Sequence, residues 1–314
     1  MPHDIVVGID GSAEGLAAAH WAAREAQRRG TGLTVVHVWY RHPRPAPYVP
    51  LDSNEHDWAE QLLREAVRGV RAARPDLRIT ERLVCGATVA SLLAASADAG
   101  LLVLGSRGLG ALGGFLTGSV SQRVVGRSTR PVVLVRAGRS AAGEHLPATD
   151  GVAPEEVPGT PYREVVLGLR TDRPCDELIG FAFDAACRRG TGLRVVHAFR
   201  SPSRPAPVPS VPLVSAAPES PPPVPTPQAQ ALADEERTVT AVLRPWREKY
   251  PAVPVTETVT EGRATTVVVR AARDAGLLVL GRHGIGHQAG AHTGPVTHAA
   301  LHHAGCAVAV VPHD

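Results

Sequence analysis

Four residues in the first half of the chain have types and a spacing that suit an anion. Gly105, Gly108, Gly118 and Ser119 stand as Gly-x2-Gly-x9-Gly-Ser, directly after an apolar run and directly before a stretch of helical period. Glycines let backbone N–H groups come close to a phosphate, and a helix starting after Gly118 adds unsatisfied donors and a positive dipole end. The Ser119 hydroxyl is a further donor, and Arg107 adds charge. Asp10-Gly11-Ser12 closes another apolar run near the N-terminus. There the Asp10 carboxylate can accept from ribose hydroxyls or a base amino group, or help hold a metal on the phosphates. The chain has no Gly-x4-Gly-Lys-[Ser/Thr] loop, so the lysine of the common NTPase cradle is missing. No residue stands out as a general base for water, and no catalytic residue is assigned.

The elements that must position these residues follow from the apolar pattern. Ile5–Ile9, Leu33–Trp39, Ile79–Val84, Leu101–Leu104 and Val132–Val135 are short runs dominated by Val, Ile and Leu. Runs of that kind read as strands buried on both faces of a parallel sheet. Between them lie helical stretches: Ala13–Arg29, capped by Ser12 and stopped by Gly30; Glu55–Ala73, with Trp58, Leu62, Ala66 and Val70 as its stripe; Thr88–Ala99; and Ser119–Ser128. This alternation predicts an α/β domain, a doubly wound parallel sheet of about five strands. Ligands of such folds sit beyond the C-terminal strand ends, where the strand order reverses. Both polar segments fall there.

The whole pattern occurs twice. Gly30-Thr31-Gly32-Leu33 returns as Gly190-Thr191-Gly192-Leu193, and Gly100-Leu101-Leu102-Val103-Leu104-Gly105 as Gly276-Leu277-Leu278-Val279-Leu280-Gly281. The offset between matching segments grows from 160 to 176 residues, and a proline-rich stretch at 201–227 is read as the loop inserted in the second copy. Residues 138–162 have no apolar period and read as a linker between a first domain at 1–137 and a second at 163–314. A net charge of +3 without a basic cluster argues against nucleic acid. No stretch reaches the roughly 18 apolar residues of a membrane span. Cys85, Cys175, Cys187 and Cys306 show no pairing pattern, and no leader precedes the first strand, so the expectation is a soluble cytoplasmic protein.

With these motifs in view, the chain resembles the universal stress protein family in its tandem form. The glycine-serine signature is met in full, and Val-Gly-Ile-Asp-Gly-Ser at 7–12 and Arg-Pro-Val-Val-Leu-Val at 130–135 are similar to the family's opening and closing strands. The resemblance implies two tandem doubly wound, Rossmann-like domains of the adenine nucleotide alpha hydrolase kind. It implies ATP as ligand, with or without Mg²⁺, and a role in stress tolerance, dormancy or growth control. Asp10 matches the family's acid at the first strand end, Val38 and Leu104 match positions flanking the adenine, and Val120 follows the phosphate-binding serine. The resemblance also suggests that the two final strands, Val132–Val135 and Ala307–Val311, meet edge to edge in an internal pseudo-dimer. A homodimer of the whole chain and a regulatory protein partner are compatible with this arrangement.

The second copy departs from the motif. Pro295 stands where Ser119 does, removing a hydroxyl and a backbone donor, and Arg170 stands where Asp10 does. Weak or absent nucleotide binding is expected there. This half collects histidines at 283, 287, 292, 298, 302, 303 and 313. His298 and His302, at i and i+4, are placed on a solvated face, and no metal site is assigned; His37 and His197 read as structural or cleft-wall residues. The leading function is a nucleotide-responsive regulator carrying ATP in its first domain. The alternatives are a slow ATPase, and a structural adaptor without nucleotide.

Overall fold

A computed structural model of the chain describes residues 3–40, 55–106, 119–136, 141–147, 160–200, 226–283 and 293–313. The first copy runs β1 (Ile5–Ile9), α1 (Ala13–Arg29), β2 (Leu33–Trp39), α2 (Glu55–Ala73), β3 (Ile79–Cys85), α3 (Thr88–Ala95), β4 (Leu101–Ser106), α4 (Ser119–Arg127) and β5 (Val132–Arg136). The second runs β6 (Val165–Gly168), α5 (Asp176–Arg189), β7 (Leu193–Phe199), α6 (Pro227–Lys249), β8 (Val255–Glu261), α7 (Ala264–Ala271), β9 (Leu277–His283), α8 (Pro295–His303) and β10 (Ala307–His313). Local chemistry sets the boundaries. The Ser12 hydroxyl accepts from Gly15 N–H at 3.1 Å to start α1, and Gly30, at φ 63°, ends it in the left-handed conformation.

Each copy orders its strands 3-2-1-4-5, all parallel, and the two sheets join through one antiparallel pairing, β5 with β10, into a single ten-stranded sheet. Val133 lies opposite Ala309, Leu134 opposite Val308 and Val132 opposite Val310. Val133 and Ala309 occupy the same place in the repeat. The two copies are therefore related by a pseudo-two-fold axis through that pair, an isologous contact within one chain. The suggested meeting of the final strands is thus present.

Alternating strand side chains feed two cores, one on each face. Ile5, Val7, Leu33 and Val35 pack with α1 and α2, and continue into Val165, Leu167, Phe183 and Leu243 of the second copy. Val6, Val36, Leu102 and Leu134 pack with α3 and α4, and continue into Leu278, Leu301 and Val308. Each core spans both copies.

Several expectations are corrected. β3 is not buried on both faces. It is an outer strand whose Thr80, Glu81 and Arg82 are exposed, and at the other edge β8 is similarly polar. Charged edges of this sort resist further strand pairing. α3 stops at Ala95, four residues early, where Ser96 leaves the helical conformation at φ −99° and ψ 4° and its hydroxyl donates back to the Leu92 carbonyl at 2.9 Å. On α2 the buried stripe is Ala59, Leu63, Ala66, Val67 and Val70, with Trp58 and Leu62 only half-buried at its flank. The linker holds structure too. Ala141–Glu144 forms a 3-10 turn, Glu144 is buried with Arg24 at 2.6 Å, and His145 bridges Tyr162. The proline-rich stretch lies outside the described residues except Thr226 and Pro227, which cap and begin α6. Among the described residues no helix is long and apolar enough to cross a membrane.

Candidate functional site

β1 lies between β2 and β4, so the chain leaves β1 toward one side of the sheet and returns at β4 on the other. Their C-terminal ends part at this switch point and leave a crevice. It holds a cavity of about 300 Å³, at the lower end of the range for small-molecule sites. Of the sequence-derived residues, Asp10, Ser12, Val38, Leu104, Gly105, Ser119 and Val120 line it. Gly11 does not. It forms the turn beneath, at φ 80°, where an added Cβ would meet Leu62 at 2.6 Å. Arg107, Gly108 and Gly118 lie outside the described residues.

The acid is anchored by its own loop. Asp10 Oδ1 accepts from Ser12 N–H at 3.1 Å and also from the Ser12 hydroxyl, which in turn caps α1. Among the described residues, every hydrogen bond to this carboxylate falls on Oδ1, which leaves Oδ2 for a ligand. On the facing wall Ser119 is the first residue of α4, exposed, with the N-terminal donors of that helix around it. The Ser121 hydroxyl ties α4 to β4 by donating to the Gly105 carbonyl at 3.0 Å. Gly105 itself is required by packing: an added Cβ would lie 2.6 Å from the Glu14 carbonyl carbon and 2.8 Å from Gly15 N. Val38, Leu104 and Val120 supply apolar walls.

Thr88, Leu92, Glu14 and Gly15 also line the cavity and were not anticipated. Thr88 opens α3 at a strand-to-helix junction on the same edge of the sheet, and that placement is the signal that could have found it. His37 is buried with Nδ1 2.9 Å from the Ile9 carbonyl, and His197 repeats this toward Leu169 at 3.0 Å. Both clasp neighbouring strand ends, so the structural reading holds. His56, Asp57 and Glu60, on the first turns of α2, place ligand atoms within 4.8 Å of one another.

The family model described as "Universal stress protein family" matches residues 1–136 and 161–312. The chain belongs to the universal stress protein family. A universal stress protein of Mycobacterium tuberculosis strain H37Rv is 32% identical over 308 residues, 96% of this chain and 94% of the relative. A second from the same strain is 31% identical over 332 residues, covering 99% and 96%. The crystal structure of a universal stress protein from Archaeoglobus fulgidus covers 100% of both chains with a TM-score of 0.67 at 14% identity, which shows a shared fold.

The second universal stress protein domain differs at each of these points. Arg170, in the place of Asp10, is forked onto Asp172 through Nε at 3.0 Å and Nη2 at 2.5 Å. That hydrogen bond raises the Arg170 pKa and lowers that of Asp172. α5 begins three residues later than α1 does in the repeat, after Pro174, so its first turn is missing. Cys175 caps it instead, accepting from Leu178 N–H at 3.4 Å while its thiol donates to Glu177 at 3.0 Å. Burial, and then that bond, push the Cys175 thiol up to about 11. The His313 ring sits over Gly281, with Nε2 2.6 Å from where a Cβ would be. α8 starts at Pro295 without a side-chain cap.

Proposed function

We propose that this universal stress protein binds one adenine nucleotide per chain, in the first domain, and acts as a nucleotide-responsive regulator in stress or dormancy. One observation carries the reading. The β1–β4 crevice brings an acid with an open oxygen, Asp10, opposite a helix N-terminus headed by Ser119, while the same places in the second domain hold the Arg170–Asp172 ion pair and Pro295. Val38, Leu104 and Val120 offer apolar faces to a base, Asp10 an acceptor to ribose, and the N-terminus of α4 at Ser119 donors to phosphate. Mg²⁺, when bound, would neutralise phosphate charge within reach of Asp10. The domain limits follow as 1–137, 138–162 and 163–314, and a cytoplasmic location accords with the reading.

Calorimetric titration of ATP into the intact chain tests it. The expected stoichiometry is one, abolished by Gly118→Val, since a branched side chain at this glycine of the motif keeps phosphate from the backbone amides. A stoichiometry near two, or equal behaviour of wild type and Gly118→Val, overturns the assignment. ATP turnover that disappears with Asp10→Ala replaces regulation with a slow ATPase.

A further inference from the structure

The second domain carries histidines that have no counterpart in the first. His298 and His302, on α8, replace Gln122 and Gly126 of α4 in the repeat. The solvated face expected for them is partly a contact. His298 is exposed, but His302 is half-buried with Nε2 3.4 Å from the side-chain nitrogen of Gln122, which reaches across from the first domain. The two rings stand one helical turn apart with centroids at 4.5 Å. On either side of this point the domains are already held together. Arg136 donates to the Leu301 carbonyl at 3.1 Å, and Arg282 to the Ser128 carbonyl at 2.6 Å.

We propose that His298 and His302, with the Gln122 side-chain amide, bind a borderline divalent cation, Zn²⁺, Ni²⁺ or Cu²⁺, that clips the second domain to the first. Imidazoles at i and i+4 project from one helix face, the spacing used by helical zinc sites. Their nitrogens need to approach an ion to about 2.0–2.1 Å, within reach because His298 is exposed and turns freely about its side-chain bonds. Turning the Gln122 amide over exchanges its nitrogen for its oxygen and supplies a third donor from the other domain. Water completes the coordination. A donor set rich in imidazole selects these ions over Mg²⁺ or Ca²⁺. Electrostatics agree at one ligand: His302 lies in the last turn of α8, where the helix dipole favours a cation. The His56, Asp57 and Glu60 cluster at the start of α2 offers one imidazole and two carboxylates, a harder donor set, and lies within the first domain alone, where it cannot clip the two domains.

The test uses the untagged full-length chain, stripped with chelator and titrated with NiCl₂ in a calorimeter, with circular dichroism confirming that each variant is folded. One equivalent is expected in wild type, lost in His298→Ala and in His302→Ala, and retained in His56→Ala and in His303→Ala. Gln122→Ala should weaken binding by about tenfold, as loss of a supporting group does at metal sites, and should shrink the Ni²⁺-dependent rise in melting temperature. Wild-type binding in His302→Ala, loss of binding in His56→Ala, or no binding at millimolar Ni²⁺ overturns the site. An affinity unchanged by Gln122→Ala overturns the clip between domains.

Discussion

Asp10 is held in place through one oxygen and open at the other. The turn it makes with Ser12 would survive replacement by asparagine, which keeps an acceptor for the Ser12 N–H, but the charge would not. Asp10→Asn should therefore leave the melting temperature close to wild type and weaken ATP binding by about 10–100-fold, the equivalent of a charge-assisted hydrogen bond. Calorimetry showing wild-type affinity would remove Asp10 from the site. Gly105 works through space instead. A methyl group there meets main-chain atoms of α1 and nothing that can swing aside. Gly105→Ala should cost about 1–3 kcal/mol of stability by denaturant titration; an unchanged midpoint would mean that α1 is free to move off β4. Asp10, Ser12, Gly105 and Ser119 were readable from strand ends and the motif, and Val38, Leu104 and Val120 followed from the family resemblance. Thr88 sits at a strand-to-helix junction of the same kind and went unread, whereas Leu92 reaches the crevice only through the crossover that packs α3 against the sheet, and nothing near it in sequence reports that.

The elements explain why the second domain is more than two substitutions away from the first. Strand and helix limits were readable wherever a cap or glycine marks them, as at Ser12 and Gly30. They were missed where a side chain turns back on its own backbone, as at Ser96. The outer position of β3 went unread because periodicity reports a strand and says nothing of its neighbours. In the same way, Arg170 and Pro295 could be seen as lost ligands, but the late start of α5 could not. Pro174 and the Cys175 cap remove the turn that carries Glu14 and Gly15 in the first domain, and His313 covers Gly281. Restoring the motif residues alone, by Arg170→Asp with Pro295→Ser, should thus leave the ATP stoichiometry at one. A second equivalent by calorimetry would show that α5 adapts and that the missing turn is unimportant.

Across the whole molecule, the sheet junction is covered on one face by a charge cluster between α1 and α5. Glu25 and Arg189 are almost fully buried and paired at 2.7 Å, with Arg29 also on Glu25 at 2.7 Å, and Glu144 of the linker joins through Arg28, 3.1 Å from Glu25 and 3.6 Å from Glu144. Burial alone would raise the Glu25 pKa; the guanidiniums of Arg189, Arg29 and Arg28 outweigh it and hold the carboxyl well below the usual range. A depressed pKa in the folded chain means that the pair stabilises fully above the unfolded glutamate value of about 4.3, and that this contribution is lost as pH falls toward the folded value. Glu25→Gln removes the charge and leaves Arg189 buried against an amide, an expected loss of about 3–5 kcal/mol at neutral pH. The loss should shrink on acidification, so melting curves of wild type and variant should begin to converge below about pH 4 and draw together further as pH falls toward the folded value. Other carboxylates titrate alike in both proteins, and the difference between the curves isolates Glu25. Parallel curves down to acid pH would show that Glu25 is not ionised in the folded chain, and that the two domains are held by the β5–β10 ladder and the shared apolar cores without this cluster.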